Sequence, residues 1–528
     1  MARDRFLGVD VGTSGVKAIL VEASGEVVGA VTVPLTLDTP RPGWAQQDPE
    51  AWWEASVAAI RAVLTASPGS VAGVGLTGQM HSSVFLDGSG RVIRPALLWC
   101  DGRTSAQCGE ITARAGGEER LREWVRNPAL EGFTLPKILW LRDEEPAAFE
   151  RLASVLLAKD FVRYRLTGVL ATEPSDASGT LLFDPAAGGW SRPMLETTGL
   201  PESLLPELGA SAEILGTVTP GAAAATGLAA GTPVVGGGAD NACGAAGVGV
   251  VREGEAVASW GTSGTMLAPV SDPRVDPGLR AHTFCHVAPR TWYVMGVVLS
   301  AGGAFAWYRD RLAEGRSAAG RAGDPEHGRR GAGLGPSAAA APTGESVHLR
   351  PLSAEGLNDE AARAPRGAGG VLFLPYLQGD RTPHRDAAAR GAFLGLSLAH
   401  DRSHLSRAVL EGICFAMRDS LEVLGELGLG PETLLLTGGG ARSEFVRSLQ
   451  AEVYGLPVAT VDREEGPAYG AALLAAVGVG AFDDLAAATR ATVTRSAPRA
   501  PSVDAHEAYR EPYARFRAAW PAARAWGG

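Results

Sequence analysis

The tetrapeptide Gly-Thr-Ser-Gly occurs at Gly12–Gly15 and again, 249 residues further on, at Gly261–Gly264. Each copy sits between strand-like runs, Val9–Val11 and Val16–Leu20 around the first, Ala256–Trp260 and Thr265–Val270 around the second. A chain with 69 glycines makes glycine turns by chance, so a lone match carries little. The same turn in the same strand context at half the chain length points instead to duplication. Two similar α/β halves, 1–250 and 251–528, are therefore expected to meet near Val250–Glu255. The length of 528 residues agrees, since a typical domain holds roughly 100 to 200.

Local patterns fill in the halves. Phe6–Val11, Val16–Val21 and Val27–Val33 read as three strands joined by tight turns, most simply as antiparallel hairpins. Asp48-Pro49-Glu50 supplies an N-cap, a first-position proline and an early acid, and Trp53, Val57, Ile60 and Leu64 follow at helical spacing. Val71–Thr77 returns as a strand ending at Gly78-Gln79-Met80-His81, a place where ligands bind in α/β sheets. In the second half, a helix over Ser403–Leu427 precedes a strand at Thr433–Thr437, the run Gly438-Gly439-Gly440, and a helix opened near Ser443 and Glu444. Between Glu314 and Arg350 large apolar residues almost vanish, so a flexible surface insertion is expected there.

Composition narrows the partners. With a formal charge of −10 the chain has the wrong sign for a nucleic-acid partner. Five cysteines (Cys100, Cys108, Cys243, Cys285, Cys414) without a C-x-x-C pair argue against a disulfide framework or a zinc site and fit a reducing cytoplasm. The apolar stretch Phe6–Val9 is too short for a signal peptide. The uncharged run Leu215–Ala239 holds Pro220, Pro233 and many glycines, so no membrane span is expected. Three of the 48 basic residues are lysines, Lys17, Lys137 and Lys159; this reads as genomic bias without functional content.

Two glycine turns with hydroxyl side chains offer backbone N–H groups to an anion, and together they could hold one polyphosphate from both sides. Neither is a Walker A loop, because G-x-x-x-x-G-K-[ST] is absent. Asp10, at the end of a buried-looking strand, either meets a cation such as phosphate-bound magnesium or caps the turn. Asp240 and Asn241 follow the strand Pro233-Val234-Val235 and three glycines. They read either as a general base with an orienting amide or as an Asx turn. Gln79 and His81 supply donors and acceptors suited to a polyol, or else satisfy the fold alone.

These motifs carry a resemblance across nearly the whole chain. Gly8-Val9-Asp10-Val11-Gly12-Thr13-Ser14, Trp44-Ala45-Gln46-Gln47-Asp48-Pro49 with Trp52-Trp53, Gly78-Gln79-Met80-His81, Trp99-Cys100-Asp101-Gly102-Arg103 and Lys159-Asp160 run through the first half. Asp240-Asn241, Ser259-Trp260-Gly261-Thr262-Ser263-Gly264, Phe373-Leu374-Pro375-Tyr376-Leu377, Gly379-Asp380-Arg381-Thr382-Pro383-His384 and Gly438-Gly439-Gly440-Ala441-Arg442-Ser443 run through the second. In this order they resemble sugar kinases of the FGGY family.

The resemblance implies a two-domain α/β architecture of the actin, Hsp70 and hexokinase-like (ribonuclease H-like) fold with an interdomain active-site cleft. It implies ATP and Mg2+ as cofactors and D-xylulose as acceptor at its 5-hydroxyl. Asp240 matches the family's catalytic base; Gln79, Met80, His81, Asp240 and Asn241 fall at the sugar. Thr13, Ser14, Gly15, Lys17 and Thr262 fall at the nucleotide phosphates, Gly302, Gly439, Gly440 and Ser443 on the nucleotide's far side, and Asp10 at the metal. The glycerol-kinase branch shows Gln-Arg-Glu where this chain has Gln79-Met80-His81, which favours a pentulose. Cys100 stands where the family often has Asn, Asp380 where Glu is usual, and the 314–350 stretch is extra. The alternatives are a kinase for another pentulose or polyol (ribulose, glycerol) and an actin-like ATPase without a small acceptor. A homodimer is the assembly to test.

Overall fold

The computed structural model describes residues 5–313, 353–462 and 465–527; the expected insertion at 314–350 lies outside the described residues. The elements that position the site are numbered here in chain order. β1 (Arg5–Val11), β2 (Gly15–Glu22) and β3 (Val27–Pro34) form the expected antiparallel meander. Asp48 caps α1 (Pro49–Ala66) by accepting the Glu50 N–H at 3.0 Å, and α1 buries Trp52, Ile60 and Val63 against Val9, Val16 and Leu20 of the sheet. β4 (Val71–Gly78) returns parallel beside β1. Helices α2 (Thr134–Glu144) and α3 (Pro174–Ala177) follow, then β5 (Ile214–Thr217), β6 (Pro233–Val235) and α4 (Asp240–Gly247). The first sheet runs β5-β6-β4-β1-β2-β3.

The second half repeats the plan. β7 (Ala256–Trp260), β8 (Gly264–Val270), β9 (His282–Cys285) and β10 (Trp292–Val298) lead to α5 (Gly302–Tyr308) and the long α6 (Arg402–Glu426). β11 (Leu434–Gly438), α7 (Glu444–Tyr454), β12 (Val458–Thr460) and α8 (Pro467–Gly478) complete it. The second sheet runs β9-β10-β8-β7-β11-β12. The two sheets superpose as topologies: β3-β2-β1-β4-β6 in one and β10-β8-β7-β11-β12 in the other. In each, two antiparallel pairings lead to two parallel ones. The repeated tetrapeptide thus joins the first two strands of each sheet. At the ends of the neighbouring parallel strands, Gly78 lies opposite Val11 and Gly438 opposite Trp260.

Helix α8 belongs to the second half by sequence yet packs on the first sheet. A Cβ on Gly8 would lie 2.0 Å from Ala468 O and one on Gly75 1.9 Å from Ala471 O, so glycine is required for this close approach. Residues Ala468–Ala476 share one buried cluster with Phe6, Ile19 and Cys243, and also with Val257 and Leu267 of the second sheet. α4 and α8 together form the packed layer between the sheets, and this layer forms the floor of the cleft.

Candidate active site

Every element that ends at the cleft ends in a turn or a helix start. β1 delivers Asp10 and then the first glycine turn, in which Gly12 N–H closes on Gly15 O at 3.1 Å. β7 delivers the second, in which Gly261 N–H donates to Ser263 O at 3.0 Å. Ser14 and Thr262 are exposed at the two turn tips. β4 delivers Gln79, Met80 and His81, and a short strand at Gly238–Ala239 pairs with β4 and delivers Asp240 as the first residue of α4. Asp240 is therefore a helix-opening residue as well as a strand-end one.

A cavity of about 820 Å³ opens beside this convergence. Asp240, Asn241 and Gly244 of α4 line one side, Val257, Ser259, Thr265 and Leu267 of the second sheet another. Gly438, Gly439, Ala441, Arg442 and Arg447 line the far end, with Gly466 and Pro467 ahead of α8. Ser259, Thr265, Arg447 and the Gly466-Pro467 pair line the cavity without having been read from sequence as site residues. They lie on strand faces and helix starts that only the packing of the halves turns toward one space.

The carboxylates are unusual. Burial pushes Asp240 up to about 7, the nearby Asp10 charge adds to the rise, and hydrogen bonds from Asn241 oppose it. Asn241 donates to Asp240 Oδ1 through its backbone at 2.7 Å and its side chain at 3.0 Å. Burial likewise raises Asp10 to about 6, opposed by Lys17, its cross-strand partner. Asp10 Oδ1 has no hydrogen-bond partner. Two half-buried carboxylates close enough to repel each other, one with a buried oxygen that lacks a partner, want a cation. Among the described residues no group of three or more His, Cys, Asp or Glu would hold a metal alone, so a cation here needs further oxygens from a ligand.

The His81 backbone is left-handed, with φ 67°, rare for a residue with a side chain. Its carbonyl accepts Lys137 Nζ at 2.9 Å and Thr134 Oγ1 at 3.3 Å, both from α2. Its Nδ1 lies 2.5 Å from Gly179 O; a carbonyl only accepts, so Nδ1 carries the proton and Nε2 the lone pair. Burial, with Lys137 nearby, lowers His81 to about 3, which keeps the ring neutral. Lys137 is itself fully buried. It donates to His81 O and, at 2.6 Å, to Gly132 O, and burial brings it down to about 7. Met80 Sδ touches Asn241 Nδ2 at 3.7 Å and Tyr293 OH at 3.8 Å, linking the two halves beside His81.

Several expected contacts have other partners. Gln79 Oε1 accepts from Thr13 Oγ1 at 2.9 Å and Ser82 Oγ at 3.2 Å, and its Nε2 donates to Gln47 at 3.2 Å. Gln79 is thus committed to the first glycine turn instead of facing a polyol. The Thr13 hydroxyl donates to Gln79 and accepts from Trp99 Nε1 at 3.0 Å, so its proton is already used. Gly302 N–H donates to Gly261 O at 2.8 Å, and a Cβ there would lie 2.4 Å from that oxygen; Gly302 braces the second turn. Gly440 is buried under the Trp260 ring, which a Cβ would meet at 2.5 Å. Ser443 caps α7 through the Val446 N–H at 3.4 Å. Of the far-side residues, Gly439 lines the cavity.

Comparison with known proteins decides the family. Residues 5–247 match the N-terminal domain of the FGGY family of carbohydrate kinases and residues 256–479 its C-terminal domain. The chain belongs to this family. It is 40% identical to the xylulose kinase of Escherichia coli (strain K12) over 89% of this chain and 90% of that one. With the xylulose kinase of Bacillus subtilis (strain 168) it shares 37% over 91% and 89%. The solved xylulose kinase of Rhodospirillum rubrum matches with a TM-score of 0.83 at 30% identity over 99% of both chains. A glycerol kinase from Plasmodium falciparum shares the fold at TM-score 0.82 with 18% identity, so the fold alone does not name the sugar. Among the described residues no helix is long and apolar enough to cross a membrane.

Proposed function

We propose that this carbohydrate kinase phosphorylates D-xylulose at its 5-hydroxyl, giving D-xylulose 5-phosphate and ADP. The observation that carries the reading is Asp240. This raised carboxylate opens into the 820 Å³ cavity with Gly439 across it, and Asn241 joins it to Met80 on the His81 side. The relatives at 36–40% identity, all xylulose kinases, support the acceptor.

In this reading the sugar lies toward Met80 and His81 and the nucleotide fills the cavity between α4 and the second sheet. The 5-hydroxyl oxygen attacks the γ-phosphorus, the bond to the β–γ bridging oxygen breaks, and the hydroxyl proton passes to Asp240. The neutral His81 accepts a sugar hydroxyl at Nε2. Asn241, whose Nδ2 is held by Asp240, offers Oδ1 to another. Exposed Ser14 and Thr262, with Gly15 and the half-buried Lys17, lie where the two turns face the phosphates. Asp10 fits magnesium, because its free oxygen and the phosphate oxygens together supply a hard-cation ligand set; the ion would neutralise charge on the transferring group. Domains 1–250 and 251–528 would close on both substrates and exclude competing water. A cytoplasmic homodimer is the expected form, checked by sedimentation.

A coupled ADP-release assay with D-xylulose, D-ribulose, L-ribulose, L-xylulose and glycerol tests the reading. The highest kcat/KM should fall on D-xylulose. A preference for glycerol, or ADP release that ignores every sugar, would overturn it.

A further inference from the structure

The stretch Glu173–Thr180 touches the site at two places and the second half at a third, without lining the cavity. Ser175 Oγ accepts the Ala239 N–H at 2.9 Å, one residue before Asp240. Gly179 O accepts His81 Nδ1–H at 2.5 Å. Ser178 Oγ accepts the Cys285 N–H of β9 at 3.1 Å, tying the stretch to the second half. One short segment thus holds His81, the residue before Asp240 and a strand of the second half.

 

A buried charge cluster locks that stretch. Glu173 accepts from Ser175 Oγ at 2.7 Å, Ser175 N–H at 2.8 Å, Asp176 N–H at 2.9 Å and Ser211 Oγ at 2.8 Å. Lys159 Nζ sits 2.8 Å from Asp160, 3.0 Å from Asp176 and 3.4 Å from Glu173, and all four side chains are fully buried. Arg163 adds a second cation 3.7 Å from Asp160. Two cations face three acids, and burial holds Asp176 well above the usual carboxylate range against the pull of Lys159. The four hydrogen bonds that Glu173 accepts fix the start of the stretch, and Ser175 Oγ carries that constraint to the residue that precedes Asp240.

We propose that Glu173–Thr180, clamped by Lys159, is the positioning element of the active site, and that Ser175 is the positioning residue for Asp240. This rests on Asp240 being the base. Steady-state kinetics of Ser175→Ala should show kcat lowered at least about tenfold, roughly the effect of one lost hydrogen bond to a buried donor, with ADP affinity within about twofold of the parent. Ser211→Ala breaks a bond to the same Glu173 carboxylate without touching Ala239, so it should lower Tm and leave kcat within about twofold. Ser175→Cys keeps the shape with a weaker acceptor and should fall between serine and alanine; it serves as the test if the alanine variant does not fold. In an Asp240→Asn background, Ser175→Ala should cost no further turnover, because it acts through Asp240. A kcat in Ser175→Ala and Ser175→Cys within twofold of the parent, an equal loss in Ser211→Ala, or an additive loss in the Asp240→Asn background would each overturn the proposal. Retained turnover in Asp240→Asn alone would instead overturn the reading of the base.

Discussion

Asp240→Asn should abolish most turnover and at the same time make the nucleotide-free protein more stable above neutral pH. The carboxyl titrates near 3.8 when unperturbed and at about 7 in the fold, raised by burial and then by Asp10. The folded state therefore binds more protons than the unfolded chain between these values, so stability falls as pH rises from about 4 to about 7 and the penalty is complete above that. A gap of about three pH units at 1.36 kcal/mol each is about 4 kcal/mol, and relaxation around the charge leaves an expected gain of about 2 to 4 kcal/mol for the neutral amide at pH 8. The amide keeps an oxygen to accept from Asn241 N–H and Nδ2, which lie 2.7 and 3.0 Å from Asp240 Oδ1, so the helix start is preserved. Thermal unfolding of parent and variant without nucleotide at pH 5 and pH 8 measures the effect. Tm should rise in the variant at pH 8, and by less than half as much at pH 5, while kcat falls roughly 10²- to 10⁴-fold. An equal Tm gain at both pH values, or none at pH 8, would refute the desolvation argument.

Asp10→Asn removes the charge that helps raise Asp240, so the acid limb of kcat/KM should move to lower pH while the magnesium needed for half-maximal rate increases; a pH profile and a magnesium titration read the two effects separately. His81→Ala should raise the D-xylulose KM about tenfold or more through loss of a buried hydrogen bond and leave the ATP KM unchanged in the same assay. Gly75→Ala places a Cβ 1.9 Å from Ala471 O, and this overpacking should cost about 1 to 3 kcal/mol, seen as a lowered Tm; an unchanged Tm would mean that α8 can move off the first sheet. Gly440→Ala should displace Trp260, 2.5 Å from the new Cβ, and raise the ATP KM without changing that for D-xylulose.

Much of this arrangement is legible in the sequence because it is local. The β1–β3 meander, the Asp48 cap and the Gly-Thr-Ser-Gly turns each rest on residues a few positions apart, and the turn repeat located the duplicated strand order. What stayed hidden depends on distant partners. Gly8 and Gly75 are ordinary strand glycines until α8 approaches from residues 467–478. Gln79 looks like a sugar contact until Thr13, Ser82 and Gln47 take its amide, and the Arg447 wall needs the second sheet to turn toward α4.

The lysines show the same limit from the other side. Three in a chain of 48 basic residues looked like genomic bias, yet Lys137 and Lys159 are fully buried. Lys137 spans two backbone carbonyls, His81 O and Gly132 O, and Lys159 spans three carboxyl groups. An ammonium is a compact charge with three donors that rotate to meet such acceptors, whereas a guanidinium presents five donors in a fixed plane. Arg163, in the same cluster as Lys159, leaves Nε and Nη1 without partners, and this is the penalty a second arginine there would repeat. At Lys137 and Lys159 the number and direction of the acceptors thus suit an ammonium better than a guanidinium. These two lysines stand behind the active site, Lys137 under His81 and Lys159 behind the segment that holds the residue before Asp240.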